Sequence, residues 1–166
     1  MGSPCDQLPP SLRDGLPAGA SAIKEAYKTV LKEQHTALFK ASPRYSKLAE
    51  VDTSMPSAKY KKLTKELSRR STSVLTQLRT GHAPLNFRLH RIGMWETPFC
   101  AHCKTQRETV FHYAMGCSAY REHRDAIRNL IPQEMFTFSN LLSHPECVPG
   151  LLEYVYRTNR LRLLQT

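Results

Sequence analysis

Residues 100–117 read CAHCKTQRETVFHYAMGC and place three of the chain's five cysteines and one histidine in the spacing C-x2-C-x8-H-x4-C. The fold turns on whether Cys100, Cys103, His112 and Cys117 hold a metal. Zinc takes four soft or borderline ligands at tetrahedral corners, and two cysteines separated by two residues supply a pair from one tight turn. His112 and Cys117 stand five residues apart. At ~100° per residue an α-helix turns ~500° over that separation, so the two do not share a face. Both bind one ion only if the helix begins or breaks between them, and the glycine in "AMGCS" allows such a break. The spacer "KTQRETVF" is long enough to turn back as a loop.

The alternative is that the cysteines fall here by chance, as small buried hydrophobes. Their density speaks against it, since only Cys5 and Cys147 lie outside this short segment. The pattern predicts Zn2+ held by four protein ligands with no open position, which makes the ion a staple of the fold and not a hydrolytic centre. His102, inside the C-x2-C, is expected to face solvent, and Cys5 and Cys147 to be structural or incidental.

Outward from the cysteines, the charge is concentrated. The chain of 166 residues carries a formal net charge of +10. Residues 53–91 hold Lys59, Lys61, Lys62, Lys65, Arg69, Arg70, Arg79, Arg88 and Arg91 against the single Glu66, whereas the flanking segments are each close to neutral. A cationic helix face neutralises phosphates and releases counterions, giving salt-sensitive binding without base specificity. Gly81-His82 between two basic helices lets backbone approach a phosphate, and Pro84 sets a helix start whose free N–H groups favour anions. These ten residues, His82 included, form the candidate nucleic-acid surface. The competing readings are a solvated outer face or docking to an acidic protein. Phe87, Trp95, Phe99, Phe111 and Tyr113 are candidates for stacking on bases, with Phe111 read as core and Trp95 left open.

The periodicity is helical almost throughout. Ile23, Tyr27, Val30, Leu31 and Leu38 make an apolar stripe from Ser21 to about Lys40. A second helix is expected from near Ser57, with Tyr60, Leu63, Leu67, Val74, Leu75 and Leu78 on one face and Gly81 as its stop. A short third carries Leu85, Leu89 and Ile92, and another runs from Ser118 to Ile131 with Tyr120, Ile127, Leu130 and Ile131 inward. "FTFSNLLSHPE" and "GLLEYVYRTNRLRLL" supply two more. The expected fold is therefore mainly α, a helical domain with a zinc-stapled Cys-Cys-His-Cys loop. Its organisation reads as an irregular Pro/Gly-rich lead-in (1–20), a basic helical region (21–97), the zinc motif with its following helix (98–131) and a C-terminal helical tail (132–166).

"SVLTQLRTGHAPLNFRLHRI" followed by "CAHC", "ETVFHYAMGC" and "AYREHR" resembles the C-terminal region of reverse transcriptase polyproteins of fungal-type non-LTR retrotransposons, where a helical segment and a Cys-Cys-His-Cys motif follow a ribonuclease H domain. The resemblance covers roughly residues 42–131, with a looser likeness in the lead-in. Retroviral zinc knuckles share the first and last spacings but have a shorter middle one. The resemblance implies that Cys100, Cys103, His112 and Cys117 ligate zinc and that the chain serves nucleic-acid-handling machinery, with RNA, DNA or a hybrid as partner and a ribonuclease H or reverse transcriptase domain as a second.

Catalysis is not expected. A ribonuclease H site needs several carboxylates converging on magnesium, and Asp6, Asp14, Asp52 and Asp125 are the only aspartates, none in a strand-like setting. Such activity would belong to the parent polyprotein. No secretory signal and no membrane-length apolar run are visible, so an intracellular protein of nucleus or cytoplasm is expected, without a membrane partner.

Overall fold

The computed structural model describes residues 19–54 and 58–161. The irregular lead-in with Cys5, and the helix start at Ser57, lie outside them. The chain forms two units, Met1–Ser42 and Pro43–Thr166, so the boundary falls inside the stretch 21–97. The described part of the first unit is helix α1, Ala20–Ala41, which buries none of its residues. Its apolar stripe is present as read, but Ile23, Tyr27, Val30 and Leu38 are all exposed. No helix among the described residues is long and apolar enough to cross a membrane.

The second unit is helical: α2 (Pro43–Ala49), α3 (Lys59–Thr64), α4 (Arg69–Thr80) and α5 (Asn86–Arg91) precede the cysteine segment. After it come α6 (Arg121–Arg128), α7 (Phe138–Ser143) and α8 (Val148–Thr158). Among the described residues the only β-type pairing is an isolated antiparallel bridge, Phe99 to Arg107.

The single helix expected over 57–80 is two. Its break has a local cause: Ser68 leaves the helical region and its side chain accepts the Ser71 N–H at 3.1 Å, capping a new helix start. The stop at Gly81 is as read. Its φ of 71° is left-handed, and the following His82 N–H reaches back to the Gln77 carbonyl at 2.8 Å.

Val74, Leu75 and Leu78 of α4 meet Ile127 and Ile131 around α6, Leu141 and Leu142 of α7 and Leu151, Tyr154 and Val155 of α8 in one core. The described part of the C-terminal segment is therefore packed into this core, as far as Leu161. Leu130 does not join the inward face expected of it; it is exposed, because the helix ends at Arg128. Ile92 is likewise exposed, beyond the end of α5. Gly150 marks the tightest approach in this core, since a Cβ there would stand 2.9 Å from Ile131 Cδ1.

Two buried ionic groups tie distant segments together. Arg79 pairs with Asp52 at 2.9 Å and donates to the Leu142 carbonyl at 2.6 Å. Glu108 is fully buried and receives Arg160 from just beyond the end of α8.

Candidate metal centre

The four residues singled out in the sequence meet. One ligand atom from each of Cys100, Cys103, His112 and Cys117 lies within 4.8 Å of every other. Cys100 Sγ and Cys117 Sγ are 3.8 Å apart, and Cys103 Sγ lies 3.3 Å from His112 Nε2. Zinc–sulfur bonds of ~2.3 Å at tetrahedral angles require sulfurs ~3.8 Å apart, so the sulfur pair already has the spacing of two corners of a zinc site. Three sulfurs and one imidazole also make the donor set that tetrahedral zinc takes. The geometry and the chemistry fit a metal ion.

The C-x2-C pair sits on a turn closed by Lys104 N–H to the Cys100 carbonyl at 2.9 Å, with Lys104 at a positive φ of 60°. The Cys100 N–H binds the Gln106 carbonyl at 2.8 Å, which folds the spacer back on the first ligand. Backbone N–H groups of His102 and Cys103 point at the Cys100 sulfur, and those of Thr105 and Gln106 at the Cys103 sulfur. Burial pushes the Cys100 thiol up to about 12 against that support. Burial also opposes charge on Cys103, but the Thr105 hydroxyl (3.3 Å from Sγ) and the backbone donors outweigh it and bring that thiol down to about 6.

The second pair is assembled by a device that the sequence reading did not contain. His112–Gly116 is a π-helical turn, and the Cys117 N–H bonds to the His112 carbonyl at 2.7 Å, five residues back. An i→i+5 bond sets its two end residues one turn apart, which an α-helix does only for residues three or four apart. The turn then ends on Cys117, whose ψ of 121° is extended. Gly116 does not make the break: it has no positive φ, and a Cβ there would meet nothing closer than His112 Nδ1 at 3.6 Å.

Outer groups hold the four candidate ligands in place. Gln106 Oε1 lies 3.0 Å from His112 Nδ1; accepting that N–H leaves the lone pair on Nε2, facing the sulfurs. Arg124 donates to the Cys117 carbonyl at 2.6 Å. Cys100 Sγ is 3.7 Å from Glu108 Oε1, and Glu108 in turn accepts the Asn86 backbone N–H at 2.7 Å, an otherwise orphaned donor at the start of α5. Arg160 completes this network, bonding both Glu108 oxygens and Asn86 Oδ1. Glu108, Gln106 and Arg124 were not legible as site residues; only a carboxylate and an amide inside the spacer hinted at them.

The other expectations divide. His102 is exposed, with its ring 5.0 Å from that of Tyr120. Cys147 is buried in the core. Tyr113 is fully buried, but Phe111, read as core, is 58 % exposed. Trp95 and Phe99 are exposed and Phe87 is half-buried.

Of the candidate nucleic-acid residues, Lys59, Lys61, Lys62, Lys65, Arg69, Arg70, His82 and Arg91 are exposed and Arg88 is half-buried. Arg79 is the correction. It is 6 % exposed, donates to Asp52 and to the Leu142 carbonyl, and lies over the Tyr60 ring, so it sits inside the fold and not on the exposed cationic surface. The cations do not line one common groove: Lys59 and Lys62 line one with His144, while Arg88 and Arg91 line another with Lys47. No protein-family model matches the chain, and no curated protein or solved structure is similar to it at a significant level.

Proposed function

We propose that this chain is a zinc-stabilised module that binds nucleic acid, is not itself catalytic, and derives from the C-terminal region of a retrotransposon reverse transcriptase polyprotein. The zinc in this reading is structural. Four protein ligands leave no position for a water or substrate, and their neighbours belong to the helical core. The ion would clamp the Cys100–Lys104 turn to the π-helical turn and so fix the segment that follows α5.

The observation that carries the nucleic-acid reading is the exposure of the basic segment. Lys61, Lys62, Lys65, Arg69, Arg70 and Arg91 all reach solvent, and among the described residues none of them forms an ion pair. Uncompensated cations at this density attract phosphates and release counterions. The test is a salt titration of binding to a short oligonucleotide. With about six phosphates neutralised, log K is expected to fall with a slope of about −4 to −5 against log salt. No binding at low salt would overturn the reading.

A second reading rests on α1, whose exposed Ile23, Tyr27, Val30 and Leu38 form an apolar stripe with nothing buried. It makes the chain an interaction fragment that docks on a ribonuclease H or polymerase domain. Binding to such a domain with no affinity for oligonucleotides would favour it.

A further inference from the structure

Around Phe111 the second unit forms a groove of about 350 Å³, lined among others by Lys47, Phe87, Arg88, Arg91, Phe111 and Phe138. Its cations Lys47, Arg88 and Arg91 form no ion pair among the described residues. The other charged groups in its wall are Arg79 and Glu108, both engaged in buried pairs, and the exposed Glu50. The groove is therefore net cationic.

Its aromatic content is equally specific. Phe111 is held edge-on to Phe138, with ring centroids 5.3 Å apart, yet leaves more than half of its surface open. It immediately precedes His112 and stands at the start of the π-helical turn that carries this candidate metal ligand. A solvent-facing phenyl ring beside unpaired cations pairs a stacking platform with phosphate partners.

Two larger grooves among the described residues each lack one half of this pairing. The one bearing Met94, Trp95 and Phe99 has Lys104 opposed by Glu96, so its charges cancel. The one bearing Lys59 and Lys62 has no Phe, Tyr or Trp in its lining.

We infer that the Phe111 groove seats single-stranded nucleic acid, with an unpaired base stacked on Phe111 and flanking phosphates on Lys47, Arg88 and Arg91. This rests on the nucleic-acid reading above and narrows it: bases inside a duplex already stack on each other and have no free face to offer the ring, so the ligand is a strand and not a duplex.

The test uses the full chain loaded with zinc, a labelled oligothymidylate of about fifteen nucleotides, and a duplex of the same length at low salt. The single strand is expected to bind tighter. Phe111→Leu keeps an apolar side chain against Phe138 but loses the π-face; it is expected to weaken strand binding about tenfold, with duplex binding and zinc content unchanged. Joint Arg88→Gln and Arg91→Gln substitution is expected to flatten the single-strand salt slope by about 1.4.

A second measurement does not depend on how well the leucine variant folds. In a Trp95→Phe, Phe111→Trp protein the lone indole is expected to lose fluorescence on adding the strand and not on adding the duplex. Unquenched fluorescence with bound strand, wild-type strand affinity in Phe111→Leu, or a duplex bound as tightly as the strand would each overturn the groove while leaving nucleic-acid binding intact. Failure of both probes to bind would overturn the broader reading as well.

Discussion

Glu108 and Arg160 stand fifty-two positions apart in the chain, yet form a two-point pair in which Arg160 Nε lies 2.8 Å from Oε1 and the second bond runs to Oε2. The carboxylate is wholly buried and the guanidinium side chain is 17 % exposed. Removing one partner of such a pair strands a charge in a poorly solvating place. Arg160→Ala is expected to lower unfolding stability by about 3 kcal/mol, read from urea denaturation. Replacing both groups with uncharged residues of similar size should recover most of that loss. A single mutant as stable as wild type would show the pair to be dispensable.

Metal content gives the second expectation. On the zinc reading, elemental analysis finds about one zinc per chain, and chelation removes helical circular dichroism, because ligand binding and folding are coupled. Cys103→Ser should reduce both. Acidification should release the metal as protons compete for sulfur and imidazole. A metal-free protein with its helical signal intact would contradict this.

Asp52 supplies a pH dependence. Burial works to raise its pKa, but hydrogen bonds from Ser54 and Arg79 and the Arg79 charge outweigh that and hold it below the ordinary 3.8. A carboxyl group depressed by folding contributes stability that is fully present above its unfolded pKa and is lost as pH falls through the folded value. Asp52→Asn is therefore expected to flatten the stability profile below about pH 4 while lowering stability at neutral pH. An unchanged acid limb in denaturation curves would remove Asp52 from this role.

Gly150 tests the packing of the second unit. A methyl group there meets Ile131 Cδ1 at 2.9 Å, and overpacking a dense core costs ~1–3 kcal/mol. Since the obstacle is the end of a side chain that can shift, Gly150→Ala should cost about 1 kcal/mol, at the low end. Adding Ile131→Val, which deletes the obstructing carbon, should restore part of it. Thermal melts of the single and double variants decide the matter, and additive losses would rule the clash out.

The sequence was most informative where chemistry and spacing coincide. Four candidate ligands in one short segment marked the cluster, and helical periodicity marked most elements, with Gly81 ending α4 at the expected place. Three things were out of its reach. The π-helical turn follows from a backbone bond between His112 and Cys117, which no residue type signals. The break at Ser68 needed a side-chain cap inside an otherwise continuous apolar stripe. The fate of Arg79 depended on Asp52 and Leu142, neither of them a neighbour in sequence, so a cation counted with the surface turned out to be internal. Phe111 failed in the other direction: an aromatic beside a metal ligand suggested filling, and the edge-on contact with Phe138 leaves it showing.

Tyr113, next to the candidate ligand His112, accepts the Tyr154 hydroxyl at its carbonyl and pairs its own hydroxyl with that of Thr158 at 2.6 Å. The cysteine loop thus borrows its footing from α8. Unlike a free-standing finger that can be cut out and grafted elsewhere, it is no portable cassette: an excised peptide of residues 98–131 would carry every ligand and still lack the floor on which they stand.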